Sequence, residues 1–293
     1  MRIGLLTAAP GHPLLAATAA LLAEDGHRVA HLAPDQDPPE PAALAEVYLL
    51  KARTPAALVL AERLENMGVP VVNSGASTGF CQDRVRMARL AERAGLPFAA
   101  TTALPDLAAL AGRGPVRHPL VVKSRHSRRG DLVARVADDR RLRELADRWP
   151  GEPVVVQDLA PGSGWDHKLW VVAGEVFAEL RHSELAEGER LPSRSVDELP
   201  YGWRELALHV GEVFGLDVYG VDILDVGGVP LIVDVNAFPG IRGQQGAPGA
   251  LARLAVAVGH GLHRPRTLRP AVTGAGEPVP PPGGAAAPRG MAQ

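Results

Sequence analysis

Along the first quarter of the chain, short apolar runs alternate with segments of helical periodicity. RIGLLT, RVAHLA, VYLLKA and VPVVNS read as strands, while Pro13 to Glu24 and Pro55 to Asn66 repeat apolar positions every three to four residues and read as helices. That alternation predicts a βαβ unit built on a small parallel sheet. A helix is expected from Phe80 to Ala94, stopped by Gly95. The pattern then changes: PLVVK and DLVARV read as strands joined by the loop SRHSRRG, followed by a helix from Asp138 to Arg148 and the strand PVVVQDL. DHKLWVV with EVFAELRHS, and VYGVDILD with VPLIVDVNAF, read as hairpins on either side of a helix from Gly202 to Phe214. A last helix is expected over roughly Ala247 to Val258.

These patterns predict an α/β protein. Its units are a βαβ domain over residues 1–78, a differently built region after it, and a Pro/Gly/Ala-rich tail over 267–293 expected to be disordered.

Composition narrows the classes. With 46% hydrophobic residues and 31 Lys plus Arg against 33 Asp plus Glu, the chain suits an ordinary globular core and does not suggest a dedicated nucleic-acid binder. Cys81 is the only cysteine, so no intrachain disulfide can form and a reducing, cytoplasmic setting is expected. Pro10, Gly11, His12 and Pro13 interrupt the apolar N-terminus, which argues for strand, turn and helix over a secretory leader. No membrane partner is expected, and a homo-oligomer stays open.

The chemistry concentrates in VDVNAFPGIRG, residues 233–243. Strand alternation sends Asp234 and Asn236 to one face and Val233 and Val235 to the other. On the partner strand, Asp222 faces Val233 if the Gly227-Gly228 turn has two residues, and Asp234 if a three-residue loop with a bulge forms. The second arrangement converges two carboxylates and an amide oxygen. Carboxylates that close need a cation between them, and hard oxygen donors suit magnesium held jointly with phosphate oxygens. A solvated hairpin face is the plainer reading of the same residues.

No GxxxxGK[ST] motif is present, and no GxGxxG follows a strand. Instead Lys123 ends an apolar strand and precedes a donor-rich loop that includes Ser127, which reads either as a phosphate clamp or as a solvated basic turn.

The order of Lys123 and its loop, VVVQDLAPGSGWDHKLWVV, YGVDILD and VDVNAFPG resembles the ATP-grasp superfamily, and within it the RimK-type amino-acid and peptide ligases. The resemblance runs from about Phe80 to about Gly259 and implies two α+β lobes, over residues 79–158 and 159–266, with a nucleotide held between them. It implies that Lys123 holds the α and β phosphates, that Gln157, Asp158 and Leu159 form the hinge against adenine, and that Asp166 binds the ribose hydroxyls. Asp222, Asp234 and Asn236 would hold two magnesium ions, with manganese able to substitute, and Arg181 and Arg194 would lie near the transferred phosphoryl group. Arg84 stands in place of the customary early lysine and Asp234 in place of the usual glutamate. Lys168 and Arg242 are candidates for substrate binding. The activity so implied is ATP-dependent joining of a small-molecule or peptide carboxylate to an amine through an acyl phosphate, releasing ADP and phosphate. Two other activities are compatible: a small-molecule kinase of the inositol polyphosphate type, and a nucleotide-binding protein without turnover.

Overall fold

The computed structural model describes residues 1–112, 116–186, 188–196 and 198–268. Strands β1 (Arg2–Leu6), β2 (Arg28–Leu32), β3 (Val47–Leu50) and β4 (Val71–Val72) alternate with helices α1 (Pro13–Glu24) and α2 (Pro55–Asn66). They form a parallel sheet of order β2-β1-β3-β4, as the alternation of runs predicts. Both helices start where a cap meets a proline. The His12 ring accepts from the Leu14 amide, and the Thr54 hydroxyl accepts from the Ala57 amide.

The expected helix from Phe80 to Ala94 is corrected to α4 (Arg84–Arg93), which starts four residues later, and a separate short helix α3 (Gly75–Phe80) precedes it. The break comes at Asp83, whose carboxylate accepts from the Val85 and Arg86 amides and so starts a new helix. Ser74 caps the first helix in the same way.

A second sheet follows, from β5 (Thr102–Leu104), β6 (Leu120–Ser124), β7 (Val133–Val136) and β8 (Val154–Asp158), in the order β5-β8-β6-β7, with α5 (Leu107–Ala111) and α6 (Asp139–Arg148) beside it. Strand β5, helix α5 and α3 carried too little periodicity to be predicted. The third sheet holds β9 (Trp165–Val172), β10 (Glu175–His182), β11 (Arg194–Ser195), β12 (Val218–Val226) and β13 (Val229–Ala237), in the order β11-β10-β9-β12-β13. Helices α7 (Trp203–Phe214) and α8 (Ala247–Gly259) complete the chain. Of the expected disordered tail, residues 269–293 lie outside the described residues.

One core lies beneath the third sheet, where Trp203, Phe214 and Tyr219 pack with Met87 and Leu90 of α4. A different core joins the first sheet to the third: Leu15 and Leu22 of α1 pack with Leu251, Leu254 and Val258 of α8, next to Trp170 and Phe238. The chain's last helix therefore fixes the N-terminal sheet against the β9 to β13 sheet. Residues 97–99 cross between the second and third sheets and pair with the edge of β13, the Ala99 amide donating to the Ile232 carbonyl at 2.8 Å. The cleft opens beside this crossing.

Candidate active site

The face of the third sheet that carries the chemistry is ordered in rows by strand register. Glu179, Lys168, Asp222 and Asp234 stand opposite one another across four strands. One row to one side come Arg181, Asp166, Leu224 and Leu231; one row to the other come Phe177, Trp170, Gly220 and Asn236. Directly opposed residues bring their Cβ atoms within about 5.5 Å, so Asp222 and Asp234 share one site.

The device that achieves this differs from the expected one. The turn at Gly227-Gly228 has two residues, Val226 pairing with Val229, and the extra residue sits farther along, as a bulge between Ile232 and Asp234. The sequence-based placement of Val233 beside Val235 is thereby corrected. Val233 lines the cleft, while Ile232 and Val235, at 0% and 1% exposed, both enter the core. Were Val233 held in regular register instead of bulged, Ile232 and Asp234 would share a face. The inserted Val233 resets the alternation, burying Ile232 and turning Asp234 toward the site. Its carbonyl, freed from the ladder, accepts from Lys123 Nζ at 2.8 Å.

Each carboxylate of the pair meets a cation. Lys168 Nζ bonds Asp222. Arg84 bridges two acids, with one guanidinium nitrogen 2.6 Å from Asp131 at the end of the SRHSRRG loop and the other 3.4 Å from Asp234. Burial alone would raise the pKa of Asp234, but Arg84, Lys123 and Lys168 outweigh it and hold the carboxyl below its ordinary value. Burial pushes Lys123 down against the opposing pull of Asp234, whereas Lys168 is held above its usual range because Asp222 overcomes its burial.

A cavity of about 310 Å³ lies between the second and third sheets. Lys123, Gln157, Asp158, Leu159 and Asp166, all expected at the nucleotide, line it, with Leu224, Leu231 and Val233 as its floor. The Gln157 side chain is tied to Thr101 Oγ1 at 2.9 Å, which leaves the end of β8 to present backbone to the cavity. Asp166 is pushed above the usual carboxylate range by burial, and its Oδ1 has no hydrogen-bond partner among the described residues. Such an orphaned acceptor is costly unless a ligand donor meets it.

The remaining candidates are placed as follows. The Arg181 guanidinium lies 5.2 Å from the Trp170 ring on the site face. Arg194 pairs with Leu180, on the opposite face by register, and stacks 4.1 Å from Trp165, so it is not brought to the charged row. Ser127 is 9% exposed and receives a 3.5 Å hydrogen bond from Arg53. Arg242 is exposed in the loop after β13. Two residues the sequence reading missed stand at the far end of the site: Lys51 and Arg53, which with Asn236 and residues 237–240 line a second cavity of about 280 Å³. Lys51 follows the buried strand VYLL as Lys123 follows LVV, and that shared signal could have found it.

Among the described residues, no group of three His, Cys, Asp or Glu side chains gathers as a ready cation cage. The donor chemistry nevertheless fits a divalent cation. Two opposed carboxylates and the nearby Asn236 amide supply hard oxygens, and magnesium usually takes only one or two protein carboxylates and draws the rest from water and phosphate.

Two antiparallel sheets thus face each other across a cleft, with Lys123 on one and the Lys168, Asp222 and Asp234 row on the other. Residues 101–250 match the RimK-like ATP-grasp domain, and the chain belongs to that family. A protein of Shewanella amazonensis named "Probable alpha-L-glutamate ligase 1" is 27% identical over 202 residues, which cover 64% of this chain and 65% of that protein. A Thioalkalivibrio sulfidiphilus protein named "Probable alpha-L-glutamate ligase" is 30% identical over 203 residues, with the same coverage. The chain thus spans about two thirds of the length of these relatives, just short of that fraction. Among solved structures, a RimK domain ATP-grasp protein of Sphaerobacter thermophilus superposes with a TM-score of 0.70 at 25% identity, over 87% of this chain and all of that one. A D-alanine–D-alanine ligase of Bacillus anthracis, complexed with ATP, has the same fold, with a TM-score of 0.68 at 17% identity over 90% of this chain.

Proposed function

We propose that the chain is an ATP-dependent carboxylate–amine ligase. The observation that carries this reading is the order of sites along one sheet face: the cavity bordered by Gln157 to Leu159, then the Lys168–Asp222–Asp234 row, then Asn236 and a basic cavity. A nucleotide laid along that face has its base at the β8 end and its terminal phosphate at the acidic row. An acid in the basic cavity then lies beyond the phosphate, where an in-line transfer can reach it.

In this reading the backbone of Asp158 and Leu159 meets adenine, and Asp166 Oδ1 accepts from the ribose hydroxyls. Lys123, pinned on the Val233 carbonyl, offers its remaining donors to the phosphates. Asp222, Asp234 and Asn236 would hold magnesium, up to two ions with manganese as a substitute, which when bound neutralises charge on the β and γ phosphates. The γ-phosphoryl group passes to a carboxylate oxygen as its bond to the β-phosphate bridging oxygen breaks, giving an acyl phosphate and ADP. An amine then attacks the acyl carbon, phosphate leaves with the bonding electrons, and an amide forms. Arg181 is positioned on the site face to stabilise transferred charge; Arg194, on the other face, has no such role. Closing the 125–131 loop, which Arg84 ties to the acidic row through Asp131, would keep water from the acyl phosphate.

The test is ADP release measured across acids and amines with magnesium, together with hydroxylamine trapping. ADP release that requires both substrates, and a trapped hydroxamate, support the ligase. A stable phosphorylated alcohol would replace it with the kinase, and ATP binding without turnover would replace it with a nucleotide-responsive binding protein.

A further inference from the structure

Three side chains meet on the back of the third sheet, beside the nucleotide cavity. Trp165 opens β9 and stands opposite His182, the last residue of β10. Their rings meet at 70°, with centroids 5.3 Å apart. Arg194 opens β11 and pairs with Leu180, one strand farther out, yet its guanidinium crosses β10 and stacks 4.1 Å from the Trp165 ring. The chain leaves the sheet after His182 and rejoins it at Arg194. Both ends of that excursion therefore bear on one indole.

The start of the excursion forms a wall of the cavity. Ser183, Leu185 and Ala186 line it together with Trp165 and Asp166. The Ser183 amide donates to the Gly164 carbonyl at 2.8 Å. Gly164, at φ 79°, turns the chain so that Ala186 packs 3.6 Å from where a side chain on that glycine would begin. Little else fastens this wall, since Glu184 is exposed and Leu185 and Ala186 are only partly buried. Segments with so few buried apolar contacts open locally, and a ligand that needs them shut binds in proportion to the fraction closed.

We propose that Arg194 is a positioning residue, which holds residues 183–186 over the base and ribose of the nucleotide by clipping Trp165 between itself and His182. This rests on the nucleotide reading of the cavity. It gives Arg194 a task at the end of the nucleotide away from the phosphoryl group. The face of an indole attracts a guanidinium, and at an exposed site that attraction shifts an equilibrium by about two- to fivefold. Because the clip acts on the wall beside base and ribose, removing it costs the same factor whatever the number of phosphates.

The experiment is calorimetric binding of AMP, ADP and the non-hydrolysable analogue AMP-PNP, each with magnesium, to the full chain and to Arg194→Gln and Arg194→Lys. Hydrogen exchange of the 183–186 amides is read alongside. Arg194 is exposed on an edge strand, so its replacement spares the core. Arg194→Gln is expected to weaken all three nucleotides by one common factor, about two- to fivefold. It is also expected to speed exchange at 183–186 while β12 and β13 exchange as in the parent. Arg194→Lys keeps a cation for the ring and is expected to recover part of both effects. A loss that grows from AMP to AMP-PNP overturns the proposal, because Arg194 then serves the phosphates. Weaker binding without faster exchange at 183–186 also overturns it. A parent that binds none of the nucleotides removes the nucleotide reading of the cavity, whereas binding by Arg194→Gln equal to the parent's removes this inference alone, so the two failures are told apart.

Discussion

The Lys123 ammonium donates to the Val233 carbonyl at 2.8 Å, from the second sheet to the third. Val233 can accept because it is the bulged residue, set outside the regular β12–β13 register. A single inserted residue thus frees the acceptor that anchors the lysine and lines the cleft floor.

Deleting Val233 tests that arrangement. Ile232, Asp234, Val235 and Asn236 would then alternate regularly and Asp222 would still face Asp234, so the fold is expected to survive. Lys123 would lose its acceptor. ATP affinity is expected to fall by about tenfold or more, the order of one charged hydrogen bond. A deletion variant that is folded by circular dichroism and binds ATP as the parent does would show that the bulge serves packing alone.

Replacing Asp222 by Asn removes a proposed magnesium ligand and leaves Lys168 without its counter-charge. Magnesium-stimulated ATP turnover is expected to drop by about a hundredfold, the scale of one electrostatic contact to a transferring phosphoryl group. A variant with undiminished turnover across a magnesium titration removes Asp222 from the ion site.

Arg84, its side chain 7% exposed, joins Asp131 and Asp234, and truncation removes the ion-pair partner of one nearly buried carboxylate and weakens the cationic surroundings of the other. Arg84→Met is expected to cost about 3 kcal/mol in urea unfolding, as breaking a buried pair does. Arg84→Lys keeps the charge but cannot span both acids, and is expected to fall between. Parent-like stability in Arg84→Met would mean that the bridge contributes nothing.

Asp83 caps α4 and receives hydrogen bonds from Arg125. Burial would raise its pKa, but the Arg125 bonds dominate and hold it below the ordinary value. A carboxyl depressed in the folded state stabilises above its unfolded pKa of about 3.9 and loses that contribution as pH falls through the folded value. The parent is therefore expected to exceed Asp83→Asn in stability at pH 6, with the gap narrowing below about pH 4. A gap that stays constant down to pH 3 would contradict this.

Local pattern was enough to read many of the elements. Helices α1 and α2 are bounded as their caps and periodicity predict, since a threonine or histidine followed by proline fixes a helix start locally. The start of α4 was set too early, at Phe80, because the capping role of Asp83 depends on the chain turning there. Val233 was assigned to the wrong face because alternation assumes no inserted residue, and nothing in VPLIVDVN marks where one falls. Lys51 was passed over because its partners lie almost 190 residues away, in the Phe238-Pro239 loop, and Arg53 because its partner Ser127 lies 74 residues on.

The sequence by itself determined the α/β class and most of the strands and helices, and it put forward Lys123, Asp222, Asp234 and Asn236 as candidates. Those rest on short-range periodicity and side-chain chemistry, which travel with the residues. Tertiary structure alone decided which charges neutralise one another. It put Arg84 against Asp234, turned Arg194 away, and gathered Lys51 and Arg53 around one cavity. Electrostatic pairing depends on distances between remote segments, and only the packing of α8 against α1 and the bulge in β13 set those distances.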